Sequence, residues 1–167
     1  LQSDADRKVG DQLLGEVGLF LRTHVDADQI DTNGEIPKNI LNELFKMGIF
    51  AMKVPKEYGG LGLSQVNYNR IMRLIASHCG STAVLISAHQ SIGVPQPLKS
   101  FGTEEQKQKF IRPTIHGDMI WCQGYSEPGA GSDLASLTTA AVLDGDEWVV
   151  NGQKIWTSTA HLADWIF

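Results

Sequence analysis

The spacing of apolar residues changes once along this chain, near Asp118, and that change limits the folds open to it. Upstream, apolar side chains return every three or four residues. Leu13, Leu14, Val17, Phe20 and Leu21 fall at that spacing between polar residues, which predicts an amphipathic helix from about Asp4 to His24. Asp31-Thr32-Asn33-Gly34 then reads as a turn. Ile40, Leu41, Leu44 and Phe45 line a second helix that opens at Pro37 and ends at Gly48. Lys53 to Gly62, punctuated by Pro55, Gly59 and Gly60, is a loop. Ser64 caps a third helix carrying Val66, Ile71, Met72, Leu74 and Ile75, and Cys79-Gly80-Ser81 breaks it. Thr82 to Ser91 is apolar nearly all round, as in a central buried helix. Pro95 and Pro97 redirect the chain, and Gly102 ends a short helix. Thr103 and Gln106 form a capping box for a last helix, anchored by Phe110 and Ile111 and closed by Pro113.

Downstream of Asp118 the pattern is that of strands. Met119 to Tyr125 is one, and Leu137 to Leu143 a second. Asp144-Gly145-Asp146 is a hairpin turn, and Trp148 to Asn151 returns from it. Asn151-Gly152 makes another turn into a third short strand, Lys154 to Ser158, and Asp164 to Phe167 opens one more. The fold class is α+β by content. An N-terminal all-α helical domain, residues 1–117, precedes the first strands of a β-barrel-like domain at 118–167. So few strands have little core and an exposed edge, so the expectation is a piece of a longer protein. The start, Leu1-Gln2-Ser3-Asp4, has neither an initiator Met nor a basic, apolar signal pattern.

Several function classes fall away. The net charge is -5 and the Lys and Arg residues are scattered, so nothing invites nucleic acid. No apolar run approaches the roughly 20 residues that span a bilayer. Cys79 and Cys122, the two cysteines, read as reduced thiols of an intracellular protein rather than a disulfide framework. His24, His78, His89, His116 and His161 show no metal-ligand spacing, so no metal site is expected. His89, inside the apolar helix, reads as a hydrogen-bonded core residue.

Two stretches remain that carry chemistry. Tyr125-Ser126-Glu127-Pro128-Gly129-Ala130-Gly131-Ser132-Asp133 is a Gly-rich turn with hydroxyls and two carboxylates. It is no dinucleotide fingerprint, because Leu134 stands where the third Gly would be. Its backbone amides can line an anion site, or it is an ordinary turn whose shape Glu127 fixes and whose next segment Asp133 caps. In Lys154-Ile155-Trp156-Thr157-Ser158, a strand would put Trp156 and Ser158 on one face. Trp156 is then either a platform for a flat ring or a core residue.

These two runs resemble the paired signatures of the acyl-CoA dehydrogenase family, in the family's order and separation. Tyr58-Gly-Gly-Leu-Gly-Leu63 and Phe101-Gly-Thr-Glu-Glu-Gln-Lys107 resemble its N-terminal domain, so the likeness covers essentially the whole chain. The resemblance implies FAD-dependent α,β-dehydrogenation of an acyl-CoA thioester. Gln123, Tyr125, Ser126, Gly131 and Ser132 match the strand and turn that contact FAD. Ser126 would bond the flavin's pyrimidine edge, and Tyr125 would contribute backbone. Trp156 would cover the ring, with Thr157 beside it and Ser158 reaching the N5 region. Ser132 also matches a position touching acyl-CoA. The family often has an aromatic residue at the place of Gln123 and Thr at that of Ser158. Ala88 falls where some members close the acyl tunnel with a large residue, which implies a medium-to-long or bulky acyl group. The family's base is a carboxylate in a C-terminal domain, so this chain holds no catalytic residue and would not turn over alone. The implied partners are acyl-CoA, an electron-transfer flavoprotein or similar acceptor, and further copies of the full-length chain. The implied location is bacterial cytoplasm or mitochondrial matrix. Flavin-dependent monooxygenases and nitroalkane oxidases of the same superfamily are the alternative, as is a non-catalytic docking module.

Overall fold

Ser3 starts the first helix by accepting a hydrogen bond from the Asp6 amide at 3.2 Å, and α1 then runs Asp4–His24. The computed structural model describes residues 2–89 and 93–167. They fall into two compact units, 1–118 and 119–167. By residue count the described chain is mainly helical.

Among the described residues the first unit holds α1 and six more α-helices: α2 (Ala27–Asn33), α3 (Lys38–Lys46), α4 (Gln65–His78), α5 (Gly80–Ser87), α6 (Pro95–Phe101) and α7 (Glu104–His116). Two short 3₁₀ turns, Ile49–Ala51 and Lys56–Tyr58, lie between α3 and α4. Leu13, Val17 and Leu21 recur at four-residue spacing on α1 and are buried with Ile71 and Ile75 of α4. Ile40 and Leu44 of α3 join the same core, while Leu41 and Phe45 pack partly buried against it. Each such aliphatic side chain contributes roughly 1.5–3 kcal/mol on leaving water.

One polar residue sits where α1 and α4 cross. Asn67 is fully buried, yet every one of its groups finds a partner. Its amide donates to the Asp6 carbonyl at 2.7 Å and to Asp6 Oδ1 at 3.0 Å. Its oxygen accepts from Gln2 at 2.7 Å and Arg70 at 3.1 Å. Satisfied in this way, the buried amide carries little of the penalty it would otherwise bring.

Several expectations change here. The turn signal at residues 31–34 is the end of a helix, α2, which Asp26 caps and Gly34 closes. A single buried apolar residue, Ile30, gives so short a helix no visible periodicity. The apolar helix expected over 82–91 is α5, and it is not buried all round, since Val84 is 69% exposed. Its expected last residues, Gln90 and Ser91, lie outside the described residues. Pro113 does not close the last helix. The helix continues to His116, where Asp118 N–H bonds Pro113 O at 2.9 Å and Gly117, at φ 81°, provides the left-handed cap. Pro95 begins α6 rather than redirecting the chain, since its missing N–H is harmless in a first turn.

The second unit contains two small sheets. β1 (Trp121–Cys122) pairs in parallel with β4 (Trp165–Ile166). β2 (Ala140–Asp144) and β3 (Glu147–Asn151) form an antiparallel hairpin with Asp144 opposite Glu147. The expected strand from Met119 is shorter because β4 offers it only two paired positions. The strand expected from Leu137 starts at Ala140, after a 3₁₀ turn at Leu134–Ser136. Lys154 to Ser158 is extended at first but forms no strand, because Trp156 takes a left-handed φ of 57°.

Among the described residues no helix is long and apolar enough to cross a membrane.

Candidate functional site

Three segments of the second unit meet at one carboxylate. Glu127 opens a turn closed by two backbone bonds, its N–H to Ala130 O at 2.7 Å and Ala130 N–H to its own carbonyl at 3.1 Å. Its side chain is 5% exposed. Oε2 accepts from the Thr138 amide at 2.7 Å and the Thr138 hydroxyl at 2.8 Å. Oε1 accepts from the Thr139 amide and from Lys154 Nζ, both at 2.9 Å. The Thr139 side chain, the Thr138 amide and Lys154 hold this carboxyl well below the usual carboxylate range, against the burial that raises it. The Thr139 hydroxyl makes no hydrogen bond of ordinary geometry among the described residues, whereas Thr138 and Lys154 donate directly to the carboxylate.

Lys154 also donates to the Tyr125 carbonyl at 2.9 Å. The next residue, Ile155, donates its amide to the Ser126 carbonyl at 2.9 Å. Residues 154–155 are thus strapped across residues 125–127, which brings the two sequence motifs side by side.

Trp156 follows directly and leaves the strap. A bulky side chain at positive φ is an outlier. Its indole is 86% exposed, so it is not a core residue. Ser158 N–H bonds back to Trp156 O at 2.9 Å, and Ser158 itself is exposed. Thr157 is half-buried. The strand alternation that would put Trp156 and Ser158 on one face does not apply, since the backbone turns at both 156 and 159.

The Gly turn has room in it. Gly131 has an ordinary φ, and a Cβ placed there would find only Ser126 Oγ, at 3.9 Å. Neither backbone strain nor packing within the chain calls for glycine at that position. Ser126 is half-buried and Ser132 exposed. Tyr125 and Ser126 have their carbonyls engaged by Lys154 and Ile155, which leaves the Ser126 hydroxyl as the polar tip of the turn. Gln123, half-buried, follows β1, and Gly124 N–H bonds Phe167 O at 2.8 Å. Asp133 stands at the start of the 134–136 turn and accepts from the Ser136 hydroxyl. Ala88 belongs to the first unit, half-buried directly after α5.

Glu127 and Lys154 are the pair that motif reading passes over. A signal for them exists, because Lys154 is the one Lys or Arg among residues 119–167. Any buried carboxylate in that unit has no other lysine or arginine of its own to meet. Among the described residues no group of His, Cys, Asp and Glu side chains has the arrangement of a metal site.

Residues 10–118 match the family model described as acyl-CoA dehydrogenase, N-terminal domain, and residues 122–167 match acyl-CoA dehydrogenase, middle domain. A probable acyl-CoA dehydrogenase, FadE10 of Mycobacterium tuberculosis, is 40% identical over 97% of this chain and 25% of its own length. The mitochondrial short-chain specific acyl-CoA dehydrogenase of Bos taurus is 40% identical over 80% of this chain and 32% of its own. A glutaryl-CoA dehydrogenase from Mycobacterium smegmatis, solved in complex with FADH2, superposes with a TM-score of 0.81 at 25% identity, covering 98% of this chain and 41% of that one. The chain therefore spans about a quarter to two fifths of the length of these relatives.

Proposed function

Because the chain belongs to the acyl-CoA dehydrogenase family, we propose that the whole protein dehydrogenates an acyl-CoA thioester at its α,β bond with FAD, and that this chain supplies one wall of the flavin site. The residues present fit such a cofactor. The exposed Trp156 indole is a broad apolar plane. The Ser126 hydroxyl stands beside the strap that carries Trp156, and the open space at Gly131 adjoins it.

In this reading Ser126 bonds the pyrimidine edge of the flavin, with Tyr125 and Gln123 lining the same side. Trp156 covers the ring, Thr157 supports it, and Ser158 offers a hydroxyl at the hydride-accepting edge. Gly131 and Ser132 present backbone and hydroxyl to the cofactor, and Ser132 also meets acyl-CoA. The flavin held by these residues would supply the hydride acceptor that dehydrogenation needs. Glu127 does not serve as the base for the α-proton. It is buried, held ionised and already accepts from four donors, so it has neither access nor a free lone pair in the right place. The base comes from elsewhere in the whole protein, and this chain alone does not turn over. Ala88 leaves room for a medium-to-long or bulky acyl group, and electrons pass to an electron-transfer flavoprotein or similar acceptor.

The observation that carries this reading is the exposed Trp156 indole, which follows at a left-handed φ directly on the residue whose amide bonds Ser126. The test is FAD titration of the whole protein, followed by visible absorbance and Trp fluorescence. The expected result is a stoichiometric flavin complex that Trp156→Ala weakens by at least about tenfold. A whole protein that takes up no flavin, or binds it equally without the indole, would sink the reading.

A further inference from the structure

We propose that Glu127 is a positioning residue: through Lys154 it sets the Trp156 segment against the Ser126 turn, so that this wall is assembled before any cofactor arrives. The inference rests on the flavin reading for its functional meaning, but its geometry stands apart from it. Glu127 touches none of the groups assigned to contact FAD. It holds what holds them.

Six carboxylates lie in residues 119–167, and Glu127 is the buried one. Removing a carboxylate from water is unfavourable unless charge and hydrogen bonds compensate. A surface Glu would serve if the turn needed only Pro128 and glycines. Here the carboxylate gathers residues far apart in sequence, Thr138, Thr139 and Lys154, onto the first residue of the turn. Lys154 divides its ammonium between Glu127 and the Tyr125 carbonyl. That two-point attachment fixes where residue 155 begins, and Ile155 then bonds Ser126 at 2.9 Å. Trp156, one residue further, has a left-handed φ of 57° and an indole that packs on no core. The indole makes no buried packing that could retain that conformation, which leaves the Ser158 bond to its carbonyl on one side and the strap at Ile155 on the other. A residue in a sparsely populated backbone region persists only where its surroundings over-determine it.

The experiment uses Glu127→Gln, Lys154→Met and the double variant, in the whole protein. Glu127→Gln keeps the shape and removes the charge, which leaves Lys154 partly buried and unmatched. Where that variant fails to fold, the double variant answers, because removing both charges leaves no buried ion uncompensated. Two quantities are read: hydrogen exchange at the Ile155 amide in the cofactor-free protein, and the FAD dissociation constant. The expected outcome is exchange at Ile155 faster by about tenfold or more, confined to the strap, with FAD bound at least about tenfold more weakly. Unchanged exchange at Ile155 in the folded double variant overturns the proposal. So does exchange that rises equally across residues 119–167, because that is general loosening and not positioning. Unchanged FAD affinity in the variants also overturns it. Should the unmodified protein take up no FAD, the flavin reading fails, and the Ile155 amide alone then decides whether Glu127 positions the strap.

Discussion

His89 stands edge-on to Phe50, with ring centroids 5.1 Å apart and planes at 90°. Phe45 meets the same imidazole edge-on at 6.4 Å. The His89 Nε2 has no hydrogen-bond partner among the described residues, and the imidazole packs against these two aromatic rings. Burial pushes its pKa down from 6.5 to about 4.

An acid-labile fold follows. The folded chain keeps His89 neutral down to about pH 4, whereas the unfolded chain takes up the proton near pH 6.5. The unfolded state therefore binds more protons in that window, and stability falls as pH drops through it. The loss amounts to about 3 kcal/mol once both states are protonated. Glu127, Asp6 and Glu104 have lowered carboxyl values, so their contributions begin to be lost only as pH falls into the ordinary carboxylate range, and the loss continues below it. Urea unfolding from neutrality to about pH 5 isolates the histidine. We expect the midpoint to fall across that range, and His89→Leu to flatten the slope. An unmodified chain with a flat profile there would contradict the assignment.

Gly10 and Asn67 give the second prediction. A Cβ at residue 10 would run into the Asn67 side-chain amide, well inside contact distance. Gly10→Ala should therefore destabilise the chain by roughly 1–3 kcal/mol, although alanine is the better helix former. Adding Asn67→Ala should recover part of that loss, because the clash is gone. The two changes are then non-additive, as expected for residues in contact. Thermal unfolding of both singles and the double tests this, and strict additivity would refute the contact.

How much of this was readable from residues alone depends on where the signal lay. α1 declares itself through Leu13, Val17 and Leu21, and α4 through Ser64, whose hydroxyl accepts from the Asn67 amide at 3.3 Å. The Asp144-Gly145-Asp146 turn marks the hairpin, and its strands pair with Asp144 opposite Glu147. α2 was hidden because one buried residue, Ile30, cannot show a period. Pro113 misleads because a proline late in a helix removes one bond while Gly117 still closes the end. At the site, residue types pointed to the Ser126 turn and to Trp156. The conformation of Trp156 and the burial of Glu127 were not legible, since both depend on contacts made from residues 11 to 29 positions away.

The capping box offers a local test. Thr103 Oγ1 accepts from the Gln106 amide at 3.2 Å, and Gln106 Oε1 accepts from the Thr103 amide at 2.9 Å. Thr103→Ala removes the first bond and leaves an amide of the first turn to water. It should reduce stability by about 1 kcal/mol, with Thr103→Ser retaining most of it. Urea midpoints for the two variants check this, and equal losses in both would argue that the hydroxyl is not the cap.

Trp156 sets stability and binding against each other. Its φ of 57° is costly for an aromatic residue, by about 1–2 kcal/mol, and free of penalty for glycine. Its indole is 86% exposed, so its removal forfeits little burial within the chain. Trp156→Gly should then leave the unfolding midpoint nearly unchanged or raise it, because relief of strain offsets the extra freedom glycine gives the unfolded chain. The same change deletes the plane proposed to cover the flavin, and FAD affinity should fall by at least about tenfold. Trp156→Phe keeps a ring and the strained backbone, so it should bind FAD better than the glycine variant while being no more stable. Measured side by side, midpoint and FAD affinity must move in opposite directions between these two variants, the glycine variant having the higher midpoint and the higher dissociation constant. If Trp156→Gly loses stability and affinity together, the indole is a packing residue after all, and the strained backbone serves the fold instead of the ligand.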